Sequence, residues 1–172
     1  MARLSSLRAV WSVAALLAAW TASGCSPTPE QQMKDAFRNA YRENGRRLVA
    51  MYARFMESPD QPVKGPDDFK GPADEKELRD FIRKMPAEAL SDMGISGADS
   101  DELFKSERDG QPFRIRYGIK GGLGKVYAVL CEARGINGKV KVFRSNGSST
   151  EVSAADVDAY MAGKHDEQPP AP

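Results

Sequence analysis

Histidine, cysteine and tryptophan are almost missing from this chain, and so is any excess of charge. One histidine (His165) and two cysteines (Cys25, Cys131) among 172 residues cannot assemble a zinc centre or a disulfide-dense miniprotein. The formal net charge is +1, which excludes the basic excess of a nucleic-acid binder. Both tryptophans (Trp11, Trp20) fall in the first 20 residues, and no later apolar run is long enough to span a bilayer. No serine sits in a G-x-S-x-G turn. A Ser-His-Asp or Cys-His arrangement would have to take its base from a polar chain end.

What is present begins with the first 25 residues. Arg3 and Arg8 are their only charges, followed by an apolar run from Ala9 to Trp20. Twelve residues rise about 18 Å as a helix, short of the roughly 30 Å of a hydrocarbon core, so residues 1–24 read as an export signal. Ala22-Ser23-Gly24 before Cys25 resembles a bacterial lipobox, with Ala22 where Leu is usual. That resemblance implies a diacylglyceryl group on the Cys25 thiol, cleavage before it, and an acylated new amine, typically carrying palmitate. Two or more chains give stable anchoring where one does not. Ser26, rather than an Asp, resembles the outer-membrane sorting pattern of Gram-negative lipoproteins. The expectation is a protein exported and lipid-anchored to the cell envelope, on the periplasmic face of the outer membrane.

Residues 25–29 read as the lipidated tether, 30–163 as one α+β domain, and 164–172 as a polar, proline-rich disordered tail. Thr28-Pro29-Glu30-Gln31 carries the start signals of a helix. Met33, Phe37, Ala40, Tyr41, Leu48, Tyr52 and Phe55 then recur at helical spacing to about Met56, with Gly45 as the place for a kink. Residues 58–72, with four prolines and two glycines, read as loop. A second helix is expected over 73–85, stopped by Pro86, and a further turn or two over 87–93.

From Pro112 the period becomes two. Phe113, Ile115, Tyr117 and Ile119 predict one half-buried strand, and 125–133 a second. Asn137-Gly138 predicts a two-residue hairpin into 139–144. That turn sets Ala133 opposite Val142 and Gly135 opposite Val140, so Tyr127, Val129, Cys131, Ala133, Val140 and Val142 share a face. Asn146-Gly147 leads to a short strand at 150–152. Ser153–Asp156 starts a last helix, with Val157, Tyr160 and Met161 inward and Gly163 ending it. The order argues a long N-terminal helix and shorter helices on one face of a 3–4-stranded antiparallel meander.

The stretch Ser106-Glu107-Arg108-Asp109-Gly110-Gln111-Pro112-Phe113, the strands after it, and Glu151-Val152-Ser153 before a short helix are similar to small lipoproteins of planctomycetes. The likeness covers roughly the last third of the mature chain. It implies a compartment and no mechanism.

Four features invite chemistry. Lys120-Gly121-Gly122-Leu123-Gly124-Lys125 looks like part of a phosphate loop, yet Val126 stands where a Mg²⁺-binding Ser or Thr belongs; it reads as a hairpin loop. Asp99-Ser100-Asp101-Glu102 starts like a calcium loop, but Leu103 and Phe104 occupy the next ligand and glycine positions. Cys131, on an apolar strand face, reads as a small buried hydrophobe. Lys34, Arg38, Arg42 and Arg46 recur every four residues, either a solvated helix face or a contact with anionic groups at the membrane. No cofactor or metal is expected.

The sequence thus predicts an interaction or assembly module held by its lipid, with the membrane, an envelope protein or anionic lipid as partners. An envelope hydrolase using carboxylates or a serine, and a small-ligand or glycan binder, stay open beside it. Mass spectrometry of the mature protein should find acyl chains on an N-terminal Cys25, and Cys25→Ser should release the protein from membranes.

Overall fold

Helix α1 (Asn44–Met56) turns Leu48, Met51, Tyr52 and Phe55 onto one buried face, as the spacing required. It belongs to a computed structural model that describes residues 28, 41–58, 69–95, 100–121 and 125–166. The helix does not run unbroken from the tether. Residues 41–43 are not helical, and Glu43 is extended (φ −91°, ψ 137°). Tertiary bonds fix this start. The Glu43 carboxylate accepts from Lys141 Nζ at 2.6 and 2.8 Å, Asn44 Nδ2 donates to the Glu102 and Lys105 carbonyls, and Glu107 accepts from the Asn44 N–H at 2.7 Å. Gly45 therefore sits in the first turn without breaking it, pressed against the Phe143 ring where a Cβ has no room. Residues 29–40, expected to open the first helix, lie outside the described residues.

Helix α2 (Glu75–Lys84) begins two residues later than expected, at an Asp74 cap. Asp74 accepts from the Glu77 N–H at 2.8 Å, and the Glu77 carboxylate accepts from the Ala73 N–H at 2.6 Å, one residue before the cap, a variant of the capping box. Acids occupy its first turn and Arg83 and Lys84 its last, matching the helix dipole. Pro86 ends it and opens α3 (Ala87–Asp92). A one-turn helix α4 (Ser100–Leu103) follows.

The alternation from Phe113 to Ile119 divides between two sheets instead of forming one strand. Strand β1 (Phe69–Lys70) pairs with β3 (Lys120–Gly121), while β2 (Arg114–Ile115) joins β4 (Ala128–Cys131), β5 (Lys139–Arg144) and β6 (Ser149–Ser153) in the order β2-β4-β5-β6. Both sheets are antiparallel. Competing partners draw the chain off β4. Tyr52 Oη donates to the Arg116 carbonyl at 2.9 Å, the Gly118 N–H to Pro72 at 2.7 Å, and the Gly71 N–H to Ile119 at 2.8 Å. Gly118 turns between them at φ 65°, a left-handed conformation cheap only for glycine.

Asn137 and Gly138 form the expected turn at φ 52° and 73°, and Ile136 pairs with Lys139. The expected register does not continue. Cys131, not Ala133, lies opposite Val142, and Leu130 opposite Phe143, because residues 133–135 bulge out of the ladder. A second irregularity between Ala128 and Leu130 changes the faces again. Tyr127, Val129 and Leu130 join the core under α1, whereas Ala128, Cys131, Val140, Val142 and Val152 form a second cluster. Val129 and Cys131, expected on one face, are thus separated.

That second cluster is closed by α5 (Val157–Met161) through Val157, Tyr160 and Met161, so helices cover both sheet faces and not one. Gly163 ends α5 at φ 79°, as read. The chain then stays on the domain to Asp166, whose carboxylate accepts from Arg116 Nη1 at 2.8 Å and the Ala128 N–H at 3.1 Å. His165 stacks on Tyr160 with ring centroids 4.1 Å apart.

Cys131 is fully buried, and burial pushes its thiol up to about 11. A thiol reagent should label the native domain at least about a hundredfold more slowly than the denatured chain, from the lost thiolate alone. Equal rates would contradict the packing.

Candidate functional site: the cleft over Glu132

An acid in the middle of an apolar strand is costly unless its oxygens are paired. Glu132 follows β4 and is 1% exposed. Its Oε1 lies 3.2 Å from the Ser106 hydroxyl and 3.3 Å from Arg108 Nε, and its Oε2 accepts from the Lys141 N–H at 2.9 Å. Arg108 reaches on to Glu151 of β6 at 2.6 Å, so one guanidinium bridges two carboxylates.

The donors come from a tight loop, Ser106–Gln111. The Ser106 N–H donates to the Gln111 carbonyl and the Gly110 N–H to the Ser106 carbonyl, with Gly110 at φ 66°. The Ser106 hydroxyl accepts from the Arg108 N–H at 3.1 Å. Asp109 accepts from Gln111 through Oδ1, and from the N–H groups of Arg134 and Gly135 through Oδ2 at 3.0 and 2.9 Å. Burial alone would raise the Asp109 carboxyl, but the N–H groups of Arg134, Gly135 and Gln111 outweigh it and hold the group below its ordinary 3.8. The loop thus supplies the hydrogen bonds that the bulge at 133–135 takes from the sheet.

Above Glu132 lies a half-open cleft of about 230 Å³. Its floor is Phe113 and Phe143, edge to face at 5.8 Å. Its walls carry Arg42, Arg108 and Lys141 against Glu43 and Glu107, a mixed and nearly balanced set. Glu132 has donors on both oxygens, which suits holding the loop in place better than moving a proton.

Of the basic series, Lys34 and Arg38 lie outside the described residues, as does Cys25. Arg42 is exposed at the cleft wall, and Arg46 lies on α1 with Nε 3.6 Å from Glu43. The extended Glu43 puts these two on separate segments and not on one helical ridge. Asp101 pairs with Arg79 and Glu102 with Lys105, each at 2.7 Å. No group of three His, Cys, Asp or Glu suited to a metal occurs among the described residues. The reading of the sequence missed Glu132, Ser106 and Asp109. Alternation with Cys131 and Ala133 inward put Glu132 on the outer face, so nothing in the strand pattern signalled its burial.

Compared with protein-family models, curated proteins and solved structures, the chain has no significant match in any of the three.

Removing the Glu132 carboxylate strands a buried hydroxyl and a backbone N–H, each worth about 1–3 kcal/mol. Glu132→Ala should therefore cost at least about 2 kcal/mol of unfolding free energy in a denaturant titration. Because Asp109 titrates lower folded than unfolded, its contribution is complete above about pH 4 and fades as pH falls below that. Asp109→Asn should flatten this acid limb in thermal melts between about pH 2 and 5.

Proposed function

We propose that the chain is a lipid-anchored envelope protein whose domain acts as an interaction module at the outer membrane, on its periplasmic face, by binding and not by catalysis. The lipobox-like segment ending at Cys25 supports the anchor. One structural observation supports the rest: the cleft over Glu132, beside the start of α1, sets charges of both signs over an aromatic floor. Arg42 and Glu43 line its wall just before α1; Lys141 holds Glu43, and Glu107 accepts from the Asn44 N–H next to it.

Sixteen steps separate Cys25 from Tyr41, a span of at most about 55 Å. A partner seated in the cleft therefore stays close to the membrane that holds the lipid. Mixed charge over an aromatic floor suits a polar protein surface, in which Arg and aromatic side chains serve as anchors.

A photo-crosslinking residue at position 42, expressed in intact cells, should give a discrete adduct with another envelope protein. The same residue at position 88, exposed on α3, should not. The adduct should fade in Cys25→Ser, which frees the domain from the membrane. Identical products from both positions, or none from position 42, would overturn the reading.

A further inference from the structure

The small sheet contains an arrangement that costs stability. Lys70 on β1 and Lys120 on β3 lie directly opposite each other, and both are exposed. In an antiparallel pair that places their Cβ atoms about 5 Å apart on one face, where like charges repel. No carboxylate among the described residues pairs with either. The ladder cannot slip to relieve them. Gly71 and Gly121 are pressed against the rings of Tyr52 and Tyr127 with no room for a Cβ. Ile119 is buried, and the Gly71–Ile119 and Gly118–Pro72 hydrogen bonds continue the pairing beyond Lys70 and hold its register. The core thus holds two lysines opposite each other on the ladder, with their side chains in solvent. In sequence, Asp67 and Asp68 precede β1 and subtract from the net charge of the segment.

We infer that the Lys70–Lys120 pair is a contact for the phosphates of anionic phospholipid headgroups in the leaflet that holds the anchor. The inference rests on the anchored reading above and moves the membrane contact from the first-helix basic series to the β1–β3 ladder. Two adjacent ammonium groups that repel each other in water gain from one phosphate between them. Each lysine near an anionic leaflet adds about fivefold to the local preference. The lipid at Cys25 would keep the leaflet at a high effective concentration, so a contact as weak as two lysines can still be occupied.

The test uses the full mature chain mixed with phosphatidylglycerol vesicles and, separately, with phosphatidylcholine vesicles. Amine acylation is read at each lysine by peptide mass spectrometry. Lys70 and Lys120 should label at least about fivefold more slowly on phosphatidylglycerol, while Lys76 and Lys139 label alike on both. Salt at about 1 M, where the Debye length is roughly 3 Å, should erase the difference. Lys120→Glu replaces repulsion by attraction. It should raise the thermal midpoint by about 1–3 °C and abolish the protection of Lys70. An unchanged or lowered midpoint would overturn the inference, as would equal labelling of Lys70 and Lys120 on the two vesicles. Protection by inorganic phosphate on phosphatidylcholine, with none from phosphatidylglycerol, would also overturn it and assign the pair to free phosphate. Flotation separates this inference from the one it rests on. A chain that floats with both vesicles but labels equally refutes the lysine contact alone. One that floats only with phosphatidylglycerol refutes the anchor and supports the contact, and one that floats with neither refutes both.

Discussion

A carboxylate sealed among hydrophobic strands sets the terms for this fold. Glu132 is 1% exposed, and such a group is tolerated only when donors surround it. Ser106 and Arg108 of one loop and the Lys141 N–H of β5 supply them from two places in the chain. Meeting that demand brings the 106–111 loop against the end of the β4–β5 hairpin. Asp109 then takes the N–H groups of Arg134 and Gly135, which the sheet would otherwise have used. The bulge follows, and with it the register that sets Cys131 opposite Val142. Arg108 carries the same constraint outward to Glu151 on the edge strand β6. The Phe113 ring, two residues beyond the loop, packs on Phe143, and Phe143 in turn fills the space under Gly45 of α1. Helix, loop and sheet therefore meet at one buried charge.

Local signals were legible where local chemistry decides. The Pro86 boundary, the Asn137-Gly138 and Asn146-Gly147 turns, the short helix at Val157 and the left-handed Gly163 all stand as the residues read. These devices depend on side chains within a few positions of each other. Errors arose where a distant partner outbid the neighbour. Period two from Phe113 to Ile119 is real, but Tyr52 and Pro72 claim its carbonyl and N–H groups and divide it between two sheets. The hairpin register was read from the turn outward, and nothing within the hairpin announces that Asp109, more than 20 residues away, will open a bulge in it. The start of α1 belongs to the same class. Its periodicity passes through Tyr41, yet Lys141 and Glu107 fix the chain at Glu43 and Asn44 in a way that no helical pattern contains.

The Ser106–Phe113 motif shows how little a recognisable string says about activity. Ser106 feeds the buried carboxylate, Arg108 bridges it to Glu151, Asp109 caps the bulge, Gly110 makes the turn and Phe113 enters the core. Each residue has a structural task that would select its identity without any substrate. The cleft above it is a by-product of the same packing: Phe113 and Phe143 cannot fill the space between α1 and the loop, and charged side chains rim what remains. Its polarity comes from reciprocal pairs, Lys141 with Glu43 and Arg108 with Glu132. A partner would therefore compete with contacts that the domain already makes, which favours a weak and exchangeable interaction over a tight one.

Position along α1 ties the two surface features together. The cleft abuts Asn44, and the β1–β3 ladder is held by Tyr52, eight residues further on. At 1.5 Å per residue this is a displacement of about 12 Å along the helix axis, close to the Debye length at physiological salt. A ladder resting on headgroup phosphates would keep the cleft on the same side of the domain, separated from the ladder by about that displacement along α1. The two features then serve one geometry. On that proposal the tether would limit how far the domain strays, the lysines would bias which side faces the lipid, and the cleft would stay near the surface where a partner could reach it. Orientation of this kind needs no large interface, because the anchor already keeps the local concentration high. If the anchor holds, two exposed lysines at a small cost in stability would be enough to bias how the tethered domain faces the lipid.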